Sequence, residues 1–461
     1  MASEVRRQKF RGRHPLLLGA LLGLGLSGCS WGRFDDVTKS APIAMLKKPG
    51  AMHAGFGVST LTATDGDRVL LFVGGATGVS AVASFDLGTG QSPTTDAKTS
   101  EYCDGTLGVC FLGQPPAALR QLEIDTGTGA EPHDFCVALG LGSTPVQGNG
   151  LVVRCDDTRL FTLPIPPSFQ EDADFAIETK QAEILTQASE DAESPWLLAA
   201  ASSHQLAWFY RFGSLEPEVV KPPGSPPQSY GKALAAMAHG SQHLLLVAAP
   251  DEGELFMFRA SDSDLALEFV GCLGGTPGFG TALTTGVVLG DDDVPDLVVS
   301  DSHSVHVFDG QTLLNLPKTN GNVCSLGALP AGGLISSFSC GSTDDISGCG
   351  NSSFGAAVAV GDLDGDGDGE VVVGAPGMTV RGKTTAGAVL VWDLEKRGET
   401  TFAEAKFISS AAENDQLGAS LALPRLGERN IIAAGAPGNG KVALFYCSGI
   451  LPGELRGDRC K

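Results

Sequence analysis

A recurring order of short apolar segments, running from about residue 41 to residue 447, constrains this chain more than its length does. An aromatic residue or leucine followed by a small residue opens each copy. A turn comes next, then an apolar strand ending in small residues, then a third strand. The last copy shows the frame most plainly: Leu417-Gly418 opens it, 431–434 is the second strand, Gly435-Ala436-Pro437 the turn, and 442–446 the third strand. The same frame fits Phe56-Gly57 with 69–73 and 81–85, and Tyr230-Gly231 with 244–247 and 255–258. It fits Phe279-Gly280 with 297–299 and 305–308, and Phe354-Gly355 with 371–373 and 388–392. Two eroded copies are placed at Phe135-Cys136, with 151–153 and 160–163, and at Ile184, with 196–200 and 206–210.

That makes seven copies, and the openings at Phe135, Ile184, Tyr230 and Phe279 lie just under fifty residues apart. This spacing suits a four-stranded propeller blade. Glycine is abundant (62 of 461 residues) and breaks up the apolar runs, which favours many short strands over long helices. The expected fold is therefore all-β, a seven-bladed β-propeller of four-stranded blades. A fourth strand precedes each opening, as at 265–270 and 402–408. The segment 41–46 stands in that relation to Phe56, so it is read as the outer strand of the last blade. Such a strand closes the ring and covers an edge that would otherwise pair with other chains. The opening aromatics are read as core wedges between blades, and the adjacent glycines as points of close backbone approach.

The sixth copy carries the chemistry: Ser353-Phe354-Gly355, then Asp362-Leu363-Asp364-Gly365-Asp366-Gly367-Asp368-Gly369-Glu370, then Val373-Gly374-Ala375-Pro376. These residues resemble an FG-GAP repeat, the unit of the seven-bladed propeller at the head of integrin α subunits and of many bacterial surface proteins. The resemblance spans about 41–447. It is strongest in the sixth copy, clear in the first, fourth, fifth and seventh, and weak in the second and third. It implies a role in adhesion or recognition and a calcium ion in the acidic loop.

The loop supports that ion on its own chemistry. Oxygen donors at alternate positions (the side chains of Asp362, Asp364 and Asp366, the carbonyl of Asp368, the side chain of Glu370) form a cage suited to Ca²⁺, which takes 6–8 oxygens at about 2.3–2.6 Å. Zinc favours His or Cys, and Mg²⁺ a stricter octahedron. The plain alternative is a solvated acidic turn, but carboxylates packed this closely without a cation repel one another. Related repeats usually have Asp where this chain has Glu370, which is expected to reach the ion directly or through water. In the fifth copy, Gly290-Asp291-Asp292-Asp293-Val294-Pro295-Asp296 keeps only Asp292 and Asp296 on ligand positions, with Asp293 where glycine is needed; this is a weaker candidate site. The first copy's Thr64-Asp65-Gly66-Asp67 is shorter still, so one calcium is expected.

The first thirty residues stand apart from the repeats. Arg6, Arg7, Lys9, Arg11 and Arg13 precede an apolar run over 16–26, too short to span a bilayer, and the run ends in Leu26-Ser27-Gly28-Cys29. This resembles a bacterial lipobox, in which the cysteine thiol receives diacylglycerol and becomes the new N-terminus. The expected organisation is a signal peptide over 1–28, a lipidated linker over 29–40, the propeller over 41–447 and a tail over 448–461. Location is read as the bacterial envelope, with outer-membrane sorting favoured by Ser30. Eleven cysteines less Cys29 leave ten, which in an exported chain reads as a disulfide framework. Cys103/Cys110, Cys136/Cys155 and Cys447/Cys460 are spaced to staple local loops. The partners of Cys272, Cys324, Cys340 and Cys349 stay open.

Removing 1–28 takes the net charge from −22 to −26, which disfavours nucleic acid and anionic membrane surfaces as partners. No C-x-x-C is present, so redox and zinc chemistry are not expected. The G-x-S-x-G and G-x-G-x-x-G spellings fall on the signal segment, without the strand–turn–helix they require. His303 and His306 are read as surface or core residues, and no Ser/His/Asp constellation is apparent. Arg456-Gly457-Asp458 is a short motif in a glycine-rich tail and carries little weight. The expectation is a non-enzymatic, envelope-anchored module that binds a protein or glycan; the alternatives are a scaffold for envelope assembly or a propeller-based hydrolase. If Cys29 is the acylated residue, Cys29→Ser should leave a precursor that does not label with a palmitate analogue. Equal labelling of both forms would remove the lipobox reading.

Overall fold

The computed structural model describes residues 43–47, 55–65, 68–74, 81–87, 98–101, 117–125, 130–140, 149–155, 159–164, 181–185, 196–201, 205–211, 217–260, 267–289, 292–317, 324, 333–340, 346–363, 367–394, 404–407, 412–426 and 429–445. Calls on Cys29, Cys103, Cys110, Asp364, Asp366, Cys447, Cys460 and 456–458 lie outside these residues. Among the described residues the chain forms seven four-stranded antiparallel sheets and two two-stranded ribbons. Among the described residues the α-helix is a single turn, Gly310–Leu314, capped by the Asp309 carboxylate.

The first sheet lies within 59–101, the second within 117–164, the third within 181–220 and the fourth within 233–274. The fifth lies within 283–339 and the sixth within 357–407. In these six the strands lie side by side in sequence order. The seventh is composite: Ile43–Lys47 pairs with Lys441–Phe445, which pairs with Ile432–Ala436 and that in turn with Leu421–Ala422. The N-terminal strand therefore completes the last sheet, as its place before Phe56 predicts. First strands of successive sheets touch one another, and that of the seventh touches that of the first.

The frame read from sequence matches the strands in six copies and is displaced in one. Phe135-Cys136, read as an opening, lies in the second strand of its sheet, Ala130–Gly140, behind a first strand Ala117–Asp125 that was missed. The reason is physical: Ala117–Asp125 has no aromatic–glycine opening and alternates apolar with charged residues, so the nearest aromatic was taken for the start. Register places Cys136 directly opposite Cys155, the backbone placement that a bridge between them requires. Two further bridges settle the four cysteines left open: Cys272–Cys324 and Cys340–Cys349. The first ties the outer strand of the fourth sheet, Leu267–Gly274, to the insertion that precedes the outer strand of the fifth.

Apolar packing is organised between sheets. Residues 297 and 299 pack with the fourth sheet, whereas Val298, Val305 and Val307 pack with the sixth, so alternate side chains of one sheet serve two neighbours. One cluster joins Phe56, Leu71 and Phe85 of the first sheet to Ile431, Val442 and Leu444 of the seventh and to Leu46 of the N-terminal strand. The opening residues Phe56, Tyr230, Phe279, Phe354 and Leu417 are all buried.

The glycine after each opening residue makes the joint. Gly57, Gly231, Gly280, Gly355 and Gly418 all have φ between 82° and 96°. Each donates its N–H to the small residue near the end of its own second strand: the carbonyls of Gly74, Ala248, Ser300, Gly374 and Gly435 accept at 2.8–3.0 Å. On the other side it abuts the preceding sheet at the same small residue. A Cβ on Gly280 would lie 2.8 Å from Ala248 Cβ, and one on Gly355 2.6 Å from Ser300 Cβ. One on Gly418 would lie 2.9 Å from Gly374 Cα, and one on Gly57 3.3 Å from Gly435 Cα and 2.6 Å from the Lys441 carbonyl. Gly355→Ala combines a left-handed backbone with overpacking and should cost about 2–4 kcal/mol. Gly240, at φ 56° with nothing within 4 Å, should lose only about 1 kcal/mol on the same change. Denaturant unfolding of the two variants measures the difference, and equal losses would show that the joint tolerates a side chain.

Candidate metal-binding loops and a side-chain relay

The acidic loop of the sixth sheet joins Ala357–Gly361 to Glu370–Ala375. Gly367 turns it at φ 102°, a conformation glycine adopts without strain. Asp362 and Asp368 are half-buried, and Glu370 is fully buried at the base of the loop. One Glu370 oxygen, Oε2, accepts from the Leu363 backbone N–H at 2.5 Å, holding the loop against the start of the second strand. The Asp362 carbonyl accepts from Asn430 N–H at 2.7 Å, and Asn430 Nδ2 donates to the Leu423 carbonyl, so the loop is tied to the seventh sheet. No group of three His, Cys, Asp or Glu side chains is assembled for a metal among the described residues, which do not include Asp364 and Asp366. The described donors are hard oxygens around a tight turn, a set that fits calcium.

The fifth-sheet loop repeats the architecture with different occupants. Asp296, 2% exposed, starts the second strand as Glu370 does. Its Oδ2 accepts from Leu289 N–H at 3.3 Å, again seven residues earlier, and its Oδ1 from Gly310 N–H at 2.9 Å. Asp292 Oδ1 accepts from Val294 N–H at 3.1 Å, closing a local turn. Asp293, where glycine was expected to be needed, adopts φ 53°. Both candidate ligands of this loop therefore use oxygens to hold backbone. The shared carboxylate at the start of the second strand, read from sequence as the last ligand, is also a staple for its own loop.

Burial pushes the Asp296 carboxyl up to about 6, against the two backbone hydrogen bonds and with help from Asp309 and Asp292. A carboxyl raised on folding contributes stability that is full below its ordinary value of 3.8 and is lost as pH rises through 6. Wild type should thus gain about 1–1.5 kcal/mol relative to Asp296→Asn between pH 7.5 and pH 5. Urea unfolding at the two pH values measures it; a gap that does not change would show the carboxyl to titrate normally.

A second cluster was not found from sequence. His306 lies in the third strand of the fifth sheet, Ser304–Phe308, opposite Ser337 of the outer strand Leu334–Ser339. The pair is 2.7 Å apart, His306 Nδ1 to Ser337 Oγ. The other ring nitrogen, Nε2, lies 3.2 Å from Asp301 Oδ2. Asp301 Oδ1 accepts from the His303 and Ser304 N–H groups at 2.7 and 2.6 Å, and the Thr276 hydroxyl donates to Oδ2 at 3.4 Å. Burial raises the Asp301 carboxyl, but these amides and the His306 ring outweigh it, and it stays below the ordinary carboxylate value. His306 is therefore not the isolated surface or core residue expected, whereas His303 is exposed in the turn. Asp301 was within reach of a sequence reading, five residues before the histidine. Ser337 was not, because the pairing spans an insertion of unpredictable length.

The residues 354–392, from the opening aromatic of the sixth sheet to the end of its third strand, match the FG-GAP repeat. The chain is thus an all-β protein that carries an FG-GAP repeat. No curated protein matches it. A solved structure described as an auxiliary nutrient binding protein from Bacteroides thetaiotaomicron VPI-5482 superposes with a TM-score of 0.41 at 10% identity, covering 88% of this chain and 76% of that one.

Proposed function

We propose that this protein is a calcium-binding, lipid-anchored β-propeller of the bacterial envelope that recognises a protein or glycan ligand. The observation that carries the reading is the FG-GAP repeat, because its acidic loop is the most complete of the seven copies. In this reading the seven sheets are blades of one ring, supported by the pairing of Ile43–Lys47 with Lys441–Phe445 and by the Gly57–Gly435 approach. Asp362, Asp364, Asp366, Asp368 and Glu370 hold the ion. Bound calcium supplies positive charge that lets these carboxylates converge, and the chain's own contribution is to pre-turn the loop at Gly367 and pin it through Glu370. The two described disulfides support passage through an oxidising compartment. Recognition is assigned to the loops at the rim of the ring, and calcium keeps the sixth-blade loop in a single shape for that purpose.

Titration calorimetry of the full chain with CaCl₂ tests the site. Binding to the folded state alone stabilises it by RT ln(1 + [Ca]/Kd), about 2.7 kcal/mol at a hundredfold excess over Kd. Asp364→Ala should abolish the binding heat, whereas Asp296→Asn should leave it unchanged. Absence of binding at millimolar calcium, or an Asp364→Ala variant that binds as wild type does, would overturn the assignment.

A further inference from the structure

We propose that Ser337, His306 and Asp301 form an acyl-transfer site at the outer edge of the fifth sheet, with Ser337 as nucleophile toward carboxylic esters that carry a short apolar acyl group. This goes beyond ligand recognition and does not involve the calcium loop.

The ladder brings the first two together. Cys340 N–H donates to the His303 carbonyl, which makes 303 and 340 a hydrogen-bonded pair. Alternation along the strands then makes His306 and Ser337 a non-hydrogen-bonded pair, the kind whose side chains stand closest. An ionised carboxylate only accepts hydrogen bonds, so Asp301 requires the proton of His306 on Nε2. Nδ1 is left as an acceptor, and it faces the Ser337 hydroxyl. The order of groups, carboxylate to imidazole to hydroxyl, is that of a nucleophile with its base and the group that orients the base.

Exposure is graded in the same order. Asp301 and His306 side chains are 12% and 16% exposed, while Ser337 is open to solvent. Phe279 and Phe308 lie against the imidazole, with ring centroids 5.8 and 6.3 Å away, which keeps the base from swinging out. The outer strand is the edge of its sheet, so the Ser337 N–H, in a non-hydrogen-bonded pair, points outward beside its own hydroxyl. That N–H is a donor for the oxyanion of an attacked ester. The register slip at Val307/Phe308 brings Leu334 opposite Phe308, onto the face that carries Ser337. Leu334, 46% exposed, is the exposed large apolar side chain of the described residues and gives an acyl chain a surface to rest on.

The steps balance without a further reagent. Ser337 Oγ attacks the acyl carbon as its proton passes to His306 Nδ1. The bond to the alcohol oxygen breaks, and that oxygen leaves with the proton from His306. Water then attacks the acyl-serine, giving its proton to His306, and the carboxylic acid is released as the serine hydroxyl is restored.

The full chain, purified, is incubated with a fluorophosphonate probe and separately with p-nitrophenyl butyrate. Wild type should label at Ser337, located by peptide mass spectrometry, and should release p-nitrophenol. Ser337→Ala should lose the label and at least a hundredfold in rate, and His306→Gln should retain less than a tenth of the labelling rate. Circular dichroism and urea unfolding of the same samples check that both variants remain folded. No labelling of wild type, labelling at another residue, or hydrolysis unchanged in folded Ser337→Ala would each overturn the proposal.

Discussion

The structure depends on backbone approaching backbone at a distance that leaves no room for a side chain. At four joints a glycine in the left-handed region donates its N–H within its own sheet and rests its α-carbon against the small residue near the end of the second strand of the sheet before. The apolar clusters between sheets would hold many arrangements of similar residues, since burial is not directional. The glycine contact is directional, and it recurs at Gly57, Gly280, Gly355 and Gly418 with the same partner position each time. The buried aromatic or leucine beside it packs into the apolar cluster between the sheets, and the glycine sets how deep it sits.

This contact also explains which parts of the chain were legible. An aromatic followed by glycine is a visible mark, and wherever it survives the strands fall where the pattern placed them. It is lost at the second and third sheets; the third keeps its place at Ile184, whereas at the second Phe135 stands in the second strand and the whole frame moves by one strand. Even there the cysteines kept their relation, because Cys136 and Cys155 are register partners across one pair of strands. Cys272 and Cys324 are 52 residues apart, one in the fourth sheet and the other in an insertion of the fifth, a pairing that depends on how the insertion folds back.

The candidate sites divide along the same line. Acidic residues at alternate positions of one loop can be read from sequence, since loop and ligands are local. The second duty of the last carboxylate could not: that Glu370 and Asp296 each reach back to an amide seven residues earlier follows from strand geometry. The relay of Asp301, His306 and Ser337 needs a turn, a register and an outer strand added after an insertion. Local chemistry is written locally, whereas chemistry shared between strands emerges only when the ladder forms.

The composite seventh sheet makes neighbours of the first and last strands among the described residues. Ile43–Lys47 finds its partner almost four hundred residues later, in the last strand of the described residues. Until that strand arrives, the first one has nothing native to pair with, and the Gly57 joint has no Gly435 to close upon. Completion of this sheet is thus withheld until both strands are present, and a chain that lacks either one loses the same sheet.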